Sequence, residues 1–152
     1  MICQPAVLSD VPAHAAFLFL DLRSGQDPRE ALSQLSAAPH PEFLLAGLGS
    51  SLLSGLGCEI PGLRPMPSWV GQGVSCPATP CDLFLRISGA DPGEVLHRQR
   101  AVLTGLPAFT VVDRVDGFMH RGGRDLTGYE DGTENPTGGR AESVAIQGEG
   151  GP

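Results

Sequence analysis

Basic residues and aromatic residues are both scarce in this chain. Ten Lys and Arg residues stand against seventeen Asp and Glu residues in 152 positions, and the formal net charge is −7. Nucleic-acid phosphates and anionic membrane surfaces attract proteins chiefly through Lys and Arg, so this balance argues against both as partners. We therefore expect no nucleic-acid partner and no membrane partner.

Paired metal-binding cysteines and long apolar runs are also lacking. The four cysteines have no C-x₂-C spacing, and the single C-x₄-C pair, Cys76 and Cys81, lies in a Pro-rich stretch without a nearby His, unlike a structural zinc site. The apolar run at residues 15–20 is too short to cross a bilayer, and the N-terminus lacks the basic region of a secretory signal. These absences predict reduced thiols and a cytoplasmic protein.

Four segments have the pattern of strands. Each is a short apolar or alternating run bounded by Gly, Pro or polar residues, and the clearest alternates Leu83, Leu85 and Ile87 with residues of the opposite face. The second is less regular because it contains Gly47. The predicted strands are residues 15–22, 43–48, 82–88 and 109–112.

Two helices are predicted from a repeated D-P-x-E start. In Asp27-Pro28-Arg29-Glu30 and Asp91-Pro92-Gly93-Glu94 the Asp can accept hydrogen bonds from first-turn N–H groups, and Pro fits the first helical position. We expect the first helix to end before Pro39 and the second at Gly105. The predicted buried faces are Ala31, Leu32 and Leu35 in the first helix, and Val95, Leu96, Gln99, Val102 and Leu103 in the second.

The order strand-helix-strand, given twice, predicts an α+β fold of the ferredoxin-like type, with a four-stranded antiparallel sheet and two helices on one face. We assign residues 1–116 to this domain and residues 117–152 to an irregular segment. Residues 49–80 read as one long connection, with Trp69 packing it onto the body. Residues 143–146 read as the start of a further strand, and the Gly-rich end at residues 148–152 leads us to expect that the chain continues.

The most distinctive segment is Gly128-Tyr129-Glu130-Asp131-Gly132-Thr133-Glu134-Asn135-Pro136. Its two glycines and its Asn-Pro step exclude a packed helix or strand, and its composition alone favours a solvated acidic loop. A calcium loop does not fit, because aligning Gly132 with the turn glycine of an EF-hand puts Thr127 and Tyr129 where acidic ligands belong.

This segment resembles the GxxDG signature of the dye-decolorising (DyP-type) haem peroxidases, with the T-E-N-P extension common in their bacterial intracellular branch. Three shorter stretches are similar to the same family: Gln4-Pro5-Ala6, Val11-Pro12-Ala13-His14-Ala15 and Pro80-Cys81-Asp82-Leu83. The resemblance runs along essentially the whole chain but covers only the N-terminal half of the family's usual length. In that family two ferredoxin-like halves enclose the haem.

The resemblance implies a haem b peroxidase that uses hydrogen peroxide to oxidise small organic electron donors. It makes Asp131 the distal acid/base, able to move a proton between the two peroxide oxygens, and Gly132, Thr133, Glu134 and Asn135 contacts of the haem edge. The family's proximal histidine and distal arginine come from its second half. None of this chain's histidines matches the ligand position, and none of the arginines near the signature matches the distal arginine: His14, His40, His97, His120, Arg121, Arg124 and Arg140.

We therefore expect the complete protein to be an enzyme and the 152-residue chain alone to be inactive. The alternative is a stand-alone ferredoxin-like module that binds a small ligand or a partner subunit without catalysis. A homo-oligomer is among the expected assembly states.

Overall fold

The computed structural model describes residues 3–36, 41–130 and 132–146. In chain order the strands are β1 (His14–Leu22), β2 (Leu44–Leu48), β3 (Trp69–Gly71), β4 (Val74–Cys76), β5 (Leu83–Gly89) and β6 (Phe109–Phe118). The helices are a 3-10 turn at Pro5–Val7, α1 (Arg29–Leu35), α2 (Ser50–Gly55), α3 (Pro92–Thr104) and α4 (Gly138–Ala145). No helix within the described ranges is long and apolar enough to cross a membrane.

The main sheet has the strand order β2-β5-β1-β6, and every neighbouring pair is antiparallel. Helix α1 connects β1 to β2, and α3 connects β5 to β6, so each helix spans from one strand to a strand two places away. This is the ferredoxin-like arrangement that the sequence pattern predicts. The strand β6 runs two residues past the predicted domain boundary at residue 116.

The core lies on the face of the sheet that the helices cover. Three cross-strand pairs of β1 and β5 form its centre: Ala16 with Ile87, Leu18 with Leu85, and Leu20 with Leu83, all of them essentially without solvent exposure. Ala31 of α1 and Val95 of α3 are buried in the same cluster. Burying a Leu or Ile side chain is worth about 1.5–3 kcal/mol, so this cluster contributes strongly to the stability of the fold.

The other face of the sheet carries three half-buried aromatic rings. Phe19 and Phe84 lie with ring centroids 5.4 Å apart, and Phe17 stacks on Phe84 at 6.3 Å. Next to them Arg86 donates a hydrogen bond to the carbonyl oxygen of Ala6 at 2.8 Å, which fastens the N-terminal segment to the sheet.

The exposed edge at β2 is blocked at Ala46 by the side chain of Gln4. Its amide nitrogen donates to the carbonyl oxygen of Ala46, and its amide oxygen accepts from the N–H of Ala46, both at 2.7 Å. The side chain thus replaces one residue of a further strand, and a filled edge is less prone to pair with another chain.

The predicted start of α3 at Asp91 is confirmed, whereas α1 begins one residue later than predicted, with Pro28 and not Asp27 at its N-cap position. Asp91 accepts from the N–H of Glu94 at 2.9 Å, while the Glu94 carboxylate accepts from the N–H of Ala90 at 2.7 Å. Asp27 accepts from the N–H of Arg29 at 3.0 Å, although α1 begins only at Arg29. The first N–H groups of a helix have no acceptor within the helix, and these side chains accept their hydrogen bonds.

Four local expectations are wrong. The long connection at residues 49–80 contains the short helix α2 and the hairpin of β3 and β4. The helix is stabilised there by the burial of Leu52 and Leu53. All six residues of that hairpin are exposed, and Trp69, at 62% exposure, does not fix the connection to the body by burial. Leu96 is 38% exposed because it points away from the buried residues of α3.

The fourth expectation concerns residues 143–146, where the structure has the end of α4 and no strand. The N–H of Ile146 donates to the carbonyl oxygen of Glu142 at 2.9 Å. Good helix formers such as Ala141 and Glu142 precede the short apolar run, and within the described ranges no strand lies beside it to pair with.

Candidate functional site

The signature segment follows β6, and a tight turn lies between them. The N–H groups of Gly123 and Arg124 both donate to the carbonyl oxygen of His120, at 3.0 and 2.9 Å. Arg121 lies inside this turn with φ 44°, a left-handed conformation that is uncommon outside glycine.

A second turn is organised by the carboxylate of Asp125. One oxygen, Oδ1, accepts hydrogen bonds from the N–H of Thr127 at 2.9 Å, the hydroxyl of Thr127 at 2.7 Å and the N–H of Tyr129 at 3.1 Å. The Thr127 hydroxyl and the loop N–H groups lower the pKa of Asp125 from its ordinary value of 3.8. The carboxylate is therefore charged at neutral pH and holds the turn closed.

The side chain of Arg124 closes the same turn from its other side. Its Nη1 donates to the carbonyl oxygen of Gly128 at 3.0 Å, and its Nη2 donates to the Glu130 carboxylate at 3.3 Å. The backbones of Arg124 and Glu130 also form an antiparallel bridge, and the N–H of Asp125 donates to the carbonyl oxygen of Tyr129 at 2.9 Å. Residues 124–130 thus form one closed loop with paired ends.

Asp131, the predicted acid/base, lies outside the described residues. The four predicted haem-edge residues that follow it, Gly132, Thr133, Glu134 and Asn135, form one exposed turn in which the N–H of Asn135 donates to the carbonyl oxygen of Gly132 at 3.0 Å. Gly132 has φ 77°, and a Cβ there would lie 2.9 Å from the Asn135 amide nitrogen. Only glycine fits this position without strain.

The segment also exposes large apolar side chains. Phe118 is 69% exposed, Leu126 86% and Tyr129 77%. Three exposed apolar groups within twelve residues are unusual, because each one lacks the favourable free energy that burial of an apolar side chain provides. They are a suitable surface for a flat apolar group or for further protein.

The described histidines do not assemble a metal site. His14 opens β1 opposite Phe118, His120 follows β6 near the same end of the sheet, and His97 lies on α3. Within the described ranges no group of three or more His, Cys, Asp or Glu residues is placed to hold a metal ion.

The role of Arg124 and Asp125 in holding the loop was missed in the sequence. A signal for it was present: an Asp followed at the second and third positions by Thr127 and Gly128 is typical of a turn in which the carboxylate accepts from its own backbone. The role of Arg124 had no sequence signal, because it depends on the return of the chain to Glu130.

Comparisons with known proteins find relatives among the dye-decolorizing peroxidases. A Dye-decolorizing peroxidase from Mycolicibacterium paratuberculosis is 32% identical over 160 residues, which cover 96% of this chain and 45% of that protein. A Dye-decolorizing peroxidase from Brevibacterium linens is 31% identical over 140 residues, covering 82% of this chain and 38% of that protein. No family model matches the chain.

Solved structures agree with these relatives. A variant of DypB from Rhodococcus jostii in complex with heme superposes with a TM-score of 0.81 at 29% identity, covering 97% of this chain and 53% of that one. A putative dyp-type peroxidase from Shewanella oneidensis has a TM-score of 0.83 at 21% identity, which supports the fold alone. The chain spans about half the length of the relatives that it matches. In sequence and in fold, this chain is therefore similar, over almost its whole length, to the N-terminal half of the dye-decolorizing (DyP-type) peroxidases.

Proposed function

We propose that this chain forms the N-terminal half of a haem-dependent peroxidase that uses hydrogen peroxide to oxidise small organic electron donors. The observation that supports it most is the similarity to dye-decolorizing peroxidases along 96% of the chain, which includes the signature loop. The heme named in the solved DypB structure is the cofactor that we propose for the complete protein, as haem b.

The described residues fit one side of a haem site. The turn of residues 132–135 is exposed, and its Gly132 brings backbone without a side chain to the surface. Exposed apolar groups such as Leu126 and Tyr129 lie in the adjoining loop. In this proposal Gly132, Thr133, Glu134 and Asn135 contact the haem edge. The chemistry that a bound haem supplies is activation of peroxide at its iron and storage of the oxidising equivalents that the organic donor consumes.

Asp131 is the distal acid/base in this proposal. With haem bound in the complete protein, its carboxylate would accept a proton from one peroxide oxygen and donate it to the other, the role that the family resemblance gives to this position. One group can serve both steps if it lies within hydrogen-bond reach of both oxygens. The neighbouring loop supports this role, because it holds Glu130 on one side and Gly132 on the other in defined turns.

The proximal ligand and the distal arginine are assigned to the part of the longer protein that lies outside this chain. The relatives are about twice as long as the region matched, and the described histidines lie on separate elements. We accordingly propose that the 152-residue chain alone is not a competent peroxidase, and that the complete protein works in the cytoplasm.

The test of the proton role is Asp131→Asn in the complete protein. The variant should retain haem, with an unchanged Soret band, and should react with peroxide about 10²–10⁴-fold more slowly, the usual contribution of a positioned acid/base. Asp10→Asn is the matched control, because Asp10 lies in the N-terminal segment, far along the chain from the loop. Stopped-flow mixing with peroxide gives the rate, and an unchanged rate for Asp131→Asn means that another group moves the proton.

A further inference from the structure

The long connection at residues 49–80 encloses a cavity where it returns to the body of the protein. The cavity has a volume of about 250 Å³ and two walls. One wall is formed by Leu48 at the end of β2 and by residues 49–51, which lead into α2. The other wall is formed by residues 63–66 and 78–81. The cavity is therefore built by the connection, to which the proposed function gives no role.

Hydrogen bonds hold both walls in place. The N–H of Gly49 donates to the carbonyl oxygen of Asp82 at 2.8 Å, and a Cβ at Gly49 would collide with the carbonyl oxygen of Cys81. In the connection, the hydroxyl of Ser68 accepts a hydrogen bond from the N–H of Ala78 at 2.9 Å. A cavity with fixed walls is formed before a ligand binds, which lowers the entropic cost of binding.

Apolar groups form most of the lining. Leu63 and Met66 line the cavity from the connection and are 46% and 67% exposed, so both have apolar surface that a ligand would bury. The Cys81 thiol also lines the cavity. Burial, together with the nearby Asp21 carboxylate, raises the pKa of this thiol from its ordinary value of 9.0, so the thiol is neutral at neutral pH. The described lining thus provides apolar contacts and no negative charge.

Arg64 is the only charged residue among the described residues of the lining. Its guanidinium makes no hydrogen bond or ion pair with another described residue. The hydroxyl groups of Ser50 and Ser51 line the same cavity, and within the described ranges they have no hydrogen-bond partner either. In a chain of net charge −7, these side chains form a local group of donors with one positive charge. A carboxylate matches this group, because a guanidinium can donate two parallel hydrogen bonds to one carboxylate.

We propose that this cavity binds a small organic anion, a carboxylate carried on a single ring or on a short apolar chain. The carboxylate accepts hydrogen bonds from Arg64 and the serine hydroxyls, and the apolar part lies against Leu63 and Met66. The volume of 250 Å³ sets the size of the ligand, because it equals roughly eight water molecules at about 30 Å³ each in the liquid. This space accommodates one ring with a carboxylate and excludes a porphyrin.

The cavity is separate from the signature loop. Leu48 pairs with Leu83, which in turn pairs with Leu20 of β1. The signature loop follows β6, whose last residue, Phe118, pairs with His14 at the other end of β1. A strand rises about 3.3 Å per residue, so the two places lie roughly 20 Å apart along the sheet. The proposal therefore does not depend on haem binding or on the proposed peroxidase reaction.

The experiment is an NMR titration of the complete protein with isotope-labelled methionine methyl groups. The ligand is benzoate, and benzamide, which has the same ring and no charge, is the matched control ligand. Met66 lines the cavity and Met119 follows β6 at the opposite end of the sheet, so their methyl groups report on the two places separately. Spectra of Met66→Leu and Met119→Leu assign the two signals.

Benzoate should shift the Met66 signal and saturate it in the millimolar range, because the bound ring lies beside this methyl group. The Met119 signal and the Soret band should stay unchanged. Benzamide should bind roughly three- to tenfold more weakly, the size of effect expected for a charged hydrogen bond that is partly exposed to solvent.

Three variants test the lining. Arg64→Gln should weaken benzoate binding by roughly three- to tenfold and leave benzamide binding unchanged. Thr79→Phe places a ring in the cavity from an exposed position of its wall and should abolish the binding of both ligands. Arg100→Gln is the matched control, because Arg100 is an exposed arginine on α3 outside the cavity, and it should change neither affinity. Circular dichroism verifies that each variant is folded.

Each outcome decides for or against the proposal. A saturable Met66 shift that prefers benzoate, loses this preference in Arg64→Gln and disappears in Thr79→Phe supports the site. The absence of a Met66 shift, or binding that survives Thr79→Phe, would overturn the site. Equal affinity for benzoate and benzamide, or a preference that Arg64→Gln leaves intact, would overturn the assignment of an anion. A shift of Met119 or of the Soret band without one of Met66 would place benzoate elsewhere and overturn the proposal.

Discussion

The N-terminal cap of α3 offers a direct test of how local sequence determines this fold. Asp91 accepts from the N–H of Glu94, and Glu94 accepts from the N–H of Ala90 and forms an ion pair with Arg98 one turn later. Asp91→Ala removes the acceptor and leaves a first-turn donor without its partner. Measured losses of such caps are about 0.5–2 kcal/mol, and the connected contacts of Glu94 favour the upper half of that range.

The assay is urea unfolding followed by circular dichroism. Fluorescence is a poor probe, because Trp69 is already 62% exposed in the folded state and its surroundings change little on unfolding. With a typical dependence of about 2 kcal/mol per molar urea, a loss of 1 kcal/mol lowers the midpoint by roughly 0.5 M.

The matched control is Asp91→Asn, since Asn caps helices about as well as Asp and keeps an oxygen in the same place. It should lose much less than Asp91→Ala. Equal losses in the two variants would mean that charge matters and the hydrogen bond does not. No loss in either would refute the assignment of Asp91 as the cap.

Three further predictions concern the sheet and the loop. Gly49→Ala should destabilise the protein by about 1–3 kcal/mol, because a Cβ at Gly49 would collide with the carbonyl oxygen of Cys81. Gly55→Ala is the control, because Gly55 has open space around it and the substitution should not cause a collision. Thermal unfolding distinguishes the two variants. Gln4→Ala removes two hydrogen bonds from the edge strand β2 and should cost about 1–3 kcal/mol in urea unfolding, with more self-association in light scattering; an unchanged midpoint would contradict the edge role. The pKa of Asp125 is lowered in the folded state, so the contribution of its carboxylate to stability is present above the ordinary pKa of 3.8 and is lost as the pH falls through the lowered pKa. An NMR titration of the carboxylate should find a lowered pKa, and a raised pKa would exclude the three accepted hydrogen bonds.

The core and the helix starts could be predicted from the sequence because each depends on residues close together in the chain. The alternation of Leu83, Leu85 and Ile87 determines which face of β5 is buried, and the D-P-x-E pattern specifies its own hydrogen bonds. The same local reasoning failed for Trp69, whose exposure depends on how the hairpin of β3 and β4 stands relative to the body.

For the signature loop, the sequence identified the segment but not what holds it. The sequence around Asp125 has a recognisable turn pattern. The contact of Arg124 with Glu130 joins residues six positions apart across an irregular turn, and no repeating sequence pattern predicts such a contact. The assignment of Asp131 came from family resemblance and stays a prediction.

The most direct test of the central claim is a hemin titration of the complete protein beside the 152-residue chain, followed by peroxide-dependent dye oxidation. The account predicts that the complete protein binds one hemin per chain with the Soret band of histidine-ligated ferric haem and oxidises the dye, while the shorter chain binds hemin weakly and shows no turnover. Two results would contradict it: a complete protein that binds no hemin, or a stoichiometric, active complex of the shorter chain whose turnover is lost in His120→Ala.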